Sequence, residues 1–257
     1  MLTLIYRGLS FKGVILLAGL FMPAMSVAQY PVWMESEYVR DAFYRVAFFN
    51  EFNEGKERRL LKWTSPLHIH IFSAIGDPEL HEKMIQEQMN ILTEHTQLPM
   101  YIEPEREHAN VLIYFMNQTE FYRAINTDKN PHLSHSLCTF NILADRNGQI
   151  VKAWILIPED LARSYGRLQS CVIEEMTQIM GLTNDVDDLY PSIFNDSSIF
   201  QQLTPLDKYL LHILYDERLQ PGVNWNDVLD IIYRVIHTQI DDPHNHTEKT
   251  LYLHTQQ

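Results

Sequence analysis

The chain has 257 residues, and acidic side chains outnumber basic ones 33 to 20, a formal net charge of −13 at pH 7. That balance argues against nucleic acid or an anionic membrane surface as a partner, since a binder of either gathers positive charge. The composition is that of an ordinary packed globule, so the chain can bury a sizeable core without metal clusters or many disulfides.

In chain order, Arg7 and Lys12 give a basic start, Gly13 to Met22 is a short apolar run, and Ser26-Val27-Ala28 places small residues where a signal peptidase reads. The run is shorter than the roughly 20 apolar residues that span a bilayer, and Pro23 ends it. Residues 1–28 therefore read as a cleavable signal peptide, which implies a periplasmic or secreted protein. No cysteine follows the run to take a lipid, and no later segment is long and apolar enough to span a membrane. Removing this segment takes away two cations and no acid, so the remainder is more acidic still.

Residues 35–52 have the broad apolar face of an amphipathic helix, with Tyr38, Ala42, Val46 and Phe49 on it. Leu67, Ile69 and Ile71 alternate with His68 and His70, the pattern of a half-buried strand. Asp77-Pro78 is a helix start, and helical periodicity runs from Glu79 to His95. Ala109 to Phe115 reads as a buried strand and Gln118 to Ile125 as a short helix. Leu137 to Ala144 and Gln149 to Ile157 read as a hairpin closed on Asn147-Gly148, a step suited to tight turns. Helical spacing follows from about Arg163 to Met180, with Gly181 as its C-terminal cap. Thr204-Pro205 starts a further helix, Trp225 to His237 forms the last, and residues 241–257 are a polar, His-rich tail. The order predicts an α+β fold: a small mixed sheet, then a site helix and C-terminal helices, in one domain over residues 29–240.

Cys138 and Cys171 are the only cysteines. In an oxidising compartment the simplest expectation is a disulfide between the hairpin and the start of the site helix, and the alternative is two buried free thiols.

The segment with the most chemical content is Cys171-Val-Ile-Glu174-Glu175-Met-Thr-Gln178-Ile-Met-Gly181-Leu-Thr-Asn184-Asp185. On a helix Glu174 and Gln178 share a face with Glu175 beside them, while Val172, Met176 and Ile179 form a core stripe. Two side chains four apart with a carboxylate at the second position are the layout of a zinc-hydrolase helix. Three other features carry less. His68 and His70 share a strand face that could chelate but more commonly faces water. Asp185-Val-Asp187-Asp188 lacks the glycine and distal glutamate of a calcium loop. His244, His246 and His254 lie in a tail with no preorganisation.

The segment resembles the HExxHxxGxxH/D motif of zincin metallopeptidases, with Glu174 and Gln178 standing where that motif has histidines. The resemblance implies a zincin-like fold, with Glu175 as general base and Gly181 as the glycine of the chain reversal. It implies Asn184, or Asp185 one residue later, as third ligand. Pro191-Ser192-Ile193-Phe194 stands where such enzymes have their methionine turn, so Phe194 is expected in the cleft floor. The chain is more closely similar to a bacterial family of exported domains of unknown function (family 2927). The likeness runs from Lys62-Trp63 and Ala109-Asn110 through Glu174-Glu175-x-x-Gln178, Asn184-Asp185, Pro191-Ser-Ile-Phe-Asn195-Asp196 and Leu206-Asp207 to Pro221-Gly222.

Glutamine is a poor zinc ligand, so tightly held zinc is not expected. The oxygen donors Glu174, Gln178, Asn184 and Asp185 suit calcium, magnesium or manganese better. The expected function is that of an exported metallopeptidase-like protein with an altered metal site, acting on peptides or proteins through Glu175. The alternative is a non-catalytic relative that uses the cleft to hold a peptide or an envelope protein.

Overall fold

The computed structural model describes residues 32–49, 57–125, 133, 136–195 and 197–240, all within the unit that begins at Pro31. The signal-like segment 1–28, Asp196 and the tail 241–257 lie outside the described residues.

A helix α1 covers Ser36–Phe48, with Glu35 as its N-cap residue. It ends before residue 52 because the chain is already extended at Phe49. Val39, Ala42, Phe43 and Val46 form its buried stripe. Strand β1 (Leu67–Ser73) leads to α2 (Pro78–Thr96), whose N-cap Asp77 accepts hydrogen bonds from the amides of Glu79 and Leu80. A three-residue strand β2 (Met100–Ile102), which periodicity does not reveal, comes next. Then follow β3 (Val111–Met116) and α3 (Gln118–Ile125). The hairpin β4 (Thr139–Ala144) and β5 (Ile150–Pro158) closes on the expected turn.

The single helix read over residues 163–180 is in fact two. α4 spans Glu159–Ser164 and α5 spans Leu168–Gln178. Gly166 separates them with φ +66°, a left-handed conformation that ends the helical ladder. The remaining helices are α6 (Pro205–Tyr215) and α7 (Trp225–Ile240).

The strands form one sheet in the order β2-β1-β3-β5-β4. The first four are parallel, and β4 pairs antiparallel with β5 at the edge. Side chains alternate across the sheet. Ile69, Ile113, Phe115, Ala153, Ile155 and Ile157 are buried on one face, whereas His68, His70, Phe72, Tyr114 and Trp154 on the other are only partly covered. Helices α2 and α5 pack together and touch the sheet at β1 and β5 respectively. The α+β class is therefore observed, with α5 lying beside the sheet edge that β4 forms.

Candidate functional site

The start of α5 is fixed covalently. Cys171 in its first turn forms a disulfide with Cys138, immediately before β4. The buried side chains of Val172, Ile173 and Met176 seat the helix in the core. Gln88 of α2 donates to Thr177 Oγ1 at 3.1 Å, and that hydroxyl donates to the Ile173 carbonyl at 2.6 Å.

The helix ends as firmly as it begins. The Trp63 indole donates to the Ile179 carbonyl at 2.8 Å, and the Tyr215 hydroxyl donates to the Met180 carbonyl at 3.0 Å. Both carbonyls lie at the C-cap and just beyond it, where the end of an α-helix leaves acceptors without helical partners. Burial drives the Tyr215 hydroxyl far above the ordinary phenol range, so it remains a donor. Gly181 then turns the chain with φ +119°, and a Cβ there would lie 2.1 Å from the Leu61 carbonyl oxygen. No other residue type fits that approach.

After the reversal the chain comes back along α5. The Gln178 amide donates to Asp185 Oδ1 at 2.7 Å, which joins two of the four residues expected to surround a ligand. Glu175 and Gln178 are both buried, at 4% and 2% exposure, so this is no solvated helix face. Glu174 is half-buried, and its carboxylate lies 3.8 Å from an Arg167 guanidinium nitrogen. Asn184 is engaged elsewhere. Its amide donates to the Arg45 carbonyl at 3.0 Å, and its backbone N–H donates to the Val46 carbonyl at 3.2 Å. It serves to fasten the reversal onto α1, with Arg45 also paired to Asp188.

Phe194 is fully buried in the core and its carbonyl accepts from Val186 N–H at 2.7 Å, so the apolar turn does pack against the returning chain. Asp207 organises that turn, a role not foreseen from sequence. Its carboxylate accepts from Ser192 Oγ at 2.6 Å, from Ile193 N–H at 3.2 Å and from Thr204 N–H at 2.8 Å. Thr204 and Asp207 form a capping box for α6, and Thr204 Oγ1 also donates to the Pro191 carbonyl at 2.7 Å. The Thr-x-x-Asp spacing was the available signal. Burial pushes the Asp207 carboxyl up to about 6, against hydrogen bonds that pull it down.

Among the described residues no three His, Cys, Asp or Glu side chains gather in a group suited to a metal ion. His68 lies 3.6 Å from Glu103, and His70 Nδ1 is bonded to the Glu103 carbonyl at 2.8 Å, so each imidazole has its own local contact.

A family model described as "Protein of unknown function (DUF2927)" matches residues 36–234. No curated protein matches the chain.

Proposed function

This chain belongs to the DUF2927 family, and on that premise we propose that it is an exported, zincin-like protein whose altered site holds an extended peptide segment of an envelope partner. The observation that carries this reading is the 2.7 Å hydrogen bond from Gln178 to Asp185. Two positions that the motif would assign to metal ligands are committed to each other. The bond engages Asp185 Oδ1 with a neutral amide donor in place of a metal ion. The donor set does not fit zinc, which takes imidazole or thiolate in such sites.

The sheet edge supports the binding role. β4 pairs only with β5 among the described residues, so its outer backbone groups can accept an added strand, a common mode of peptide recognition. Asn141 and Leu143 are exposed on it, and the Cys138–Cys171 disulfide holds the strand beside α5. A second reading, hydrolysis assisted by a hard cation, is favoured by Glu175, which keeps its buried carboxylate at the general-base position.

The test combines three measurements on protein purified from the periplasm: metal content after dialysis against a mild chelator, hydrolysis of unfolded casein, and NMR titration with a peptide selected from a display library. The expected result is no stoichiometric zinc and no hydrolysis, with peptide-induced shifts in the backbone amides of 139–144. Retained zinc with casein cleavage that Glu175→Gln lowers by at least ~10² would overturn the binding reading in favour of a hydrolase.

A further inference from the structure

Away from α5, the buried side chains of His81 and Glu159 meet half-buried Ser73 where β1 ends, α2 begins and α4 begins. His81, in the first turns of α2, has no exposed surface. Its ring stacks on Phe115 of β3 with centroids 3.7 Å apart and planes 4° from parallel. Its Nδ1 is 3.0 Å from Ser73 Oγ, at the end of β1. Its Nε2 has no hydrogen-bond partner and lies 4.0 Å from Glu159 Oε1. Glu159 opens α4, is 5% exposed, and is held by Arg163 one turn on, whose Nε donates at 2.7 Å. The backbone closes the corner at Gly76, where a Cβ would sit 2.8 Å from Glu159 Oε1 and 3.0 Å from His81 Cε1.

An imidazole nitrogen buried without a partner is a rare and costly arrangement that calls for a reason. In the neutral ring only one nitrogen carries a proton. If that proton is on Nδ1, it is donated to Ser73, and Nε2 turns a lone pair toward a carboxylate. If it is on Nε2, the 4.0 Å gap is too long for a hydrogen bond. Protonation removes both difficulties: Nδ1–H donates to Ser73 Oγ, and Nε2–H has an anion within about an ångström of contact distance.

From this geometry we propose that His81 and Glu159 form an acid-responsive latch, in which protonation of the imidazole draws it onto the Glu159 carboxylate and shifts α4 relative to α5. The path to the site is short. α4 begins at Glu159 and gives way at Gly166, where an added Cβ would meet nothing within 4 Å, so the segment has room to bend. The next residue, Arg167, is the ion partner of Glu174 and also donates to the Ser198 carbonyl. Movement of α4 therefore reaches the carboxylate-bearing face of α5 whatever that face binds.

The groups facing His81 set the sign. Burial is the largest influence and holds the imidazole below its ordinary value of 6.5; Arg163 acts the same way, while Glu159 and Asp77 oppose it. Ser73 and Phe115 carry no charge. Stability from a depressed imidazole is present above pH 6.5 and is lost as pH falls through the folded-state value. The neutral corner thus loses stability on acidification until the ring takes up its proton in place and the latch closes.

The experiment follows the His81 ring by NMR from pH 7.5 to 4.5 in the full protein, with amide hydrogen exchange over residues 159–167. The expected result is a His81 midpoint below 6.5, with exchange in 159–167, corrected for intrinsic rates, changing about tenfold across it. In His81→Gln the exchange step should vanish, and in Glu159→Gln the imidazole midpoint should fall further. A midpoint at or above 6.5, an exchange step that survives in His81→Gln, or a midpoint unmoved in Glu159→Gln would each overturn the latch. The wild-type and Glu159→Gln arms decide the question even if His81→Gln fails to fold.

Discussion

Asp207 shows how one buried carboxyl can set a pH dependence. It is fully buried at the N-terminus of α6, and its folded-state value of about 6 lies above the 3.8 of an ordinary carboxyl. A raised carboxyl contributes stability that is fully present below pH 3.8 and is lost as pH rises through about 6. The linked free energy is roughly 3 kcal/mol for a shift of this size. In Asp207→Asn that slope should disappear, so the difference in urea stability between wild type and variant should change between pH 4 and 6.5. Below pH 4 the variant should be weaker by about 1–3 kcal/mol, because its amide N–H groups confront the donors of Ser192, Ile193 and Thr204, and the deficit should shrink as pH rises. A difference that stays constant over this range would remove Asp207 as the titrating group. Lys62 is a contrasting case. Burial brings its amine down to about 8, yet it donates to the carbonyls of Asp216 and Leu219, so its charge is used to tie a loop end.

At the scale of elements, two glycines end or interrupt helices for different reasons, and the difference can be measured. Gly166 needs only a left-handed backbone, φ +66°, with open space around it. Gly181 needs φ +119° and also lies against the Leu61 carbonyl, 2.1 Å from where a Cβ would be. Gly166→Ala should cost about 1 kcal/mol, the usual penalty for that conformation. Gly181→Ala should exceed ~3 kcal/mol, since either the segment at Leu61 or the reversal after α5 must move. Equal costs in urea denaturation would contradict the close-approach argument. These glycines also mark what the sequence could reveal. Gly181 was legible as a cap because it follows the periodic run directly. Gly166 was not, because the apolar spacing resumes in phase after three residues and Arg163 to Met180 reads as continuous. β2 is not legible in the sequence because three residues are too few to display alternation. By contrast, Asp77-Pro78, Asn147-Gly148 and Thr204-Pro205 announce their elements through local chemistry, and the structure has each one. In the candidate site, the Gln178–Asp185 approach follows from helix spacing and a glycine reversal. The ties of Asn184 to Arg45 and His81 to Glu159 depend on how separate elements are brought together. No local pattern encodes them.

For the whole molecule, the covalent bond between Cys138 and Cys171 joins the two layers of the fold at the sheet edge. β4 is an edge strand: it has one neighbour, and its register is irregular at Leu143/Ala144. α5 is among the best held helices, buried against α2 and tied off by Trp63 and Tyr215. The disulfide therefore transfers the order of the helix to the strand that we propose receives the peptide. The bridge closes a loop of 33 residues in the unfolded chain, which corresponds to about 3–4 kcal/mol of lost chain entropy. In the double variant Cys138→Ser, Cys171→Ser the urea stability should fall by about that amount. Loss should also be uneven within the native state. Amide exchange in 139–144 should accelerate by at least ~10-fold, while β3, flanked by β1 and β5, should change only as much as global stability requires. Peptide-induced NMR shifts along β4 should weaken in parallel, since an edge that must first be ordered binds with lower affinity. If β4 stays as protected as β3 in the double variant, the bridge serves global stability alone and the presentation of the edge strand must rest on the β4–β5 pairing.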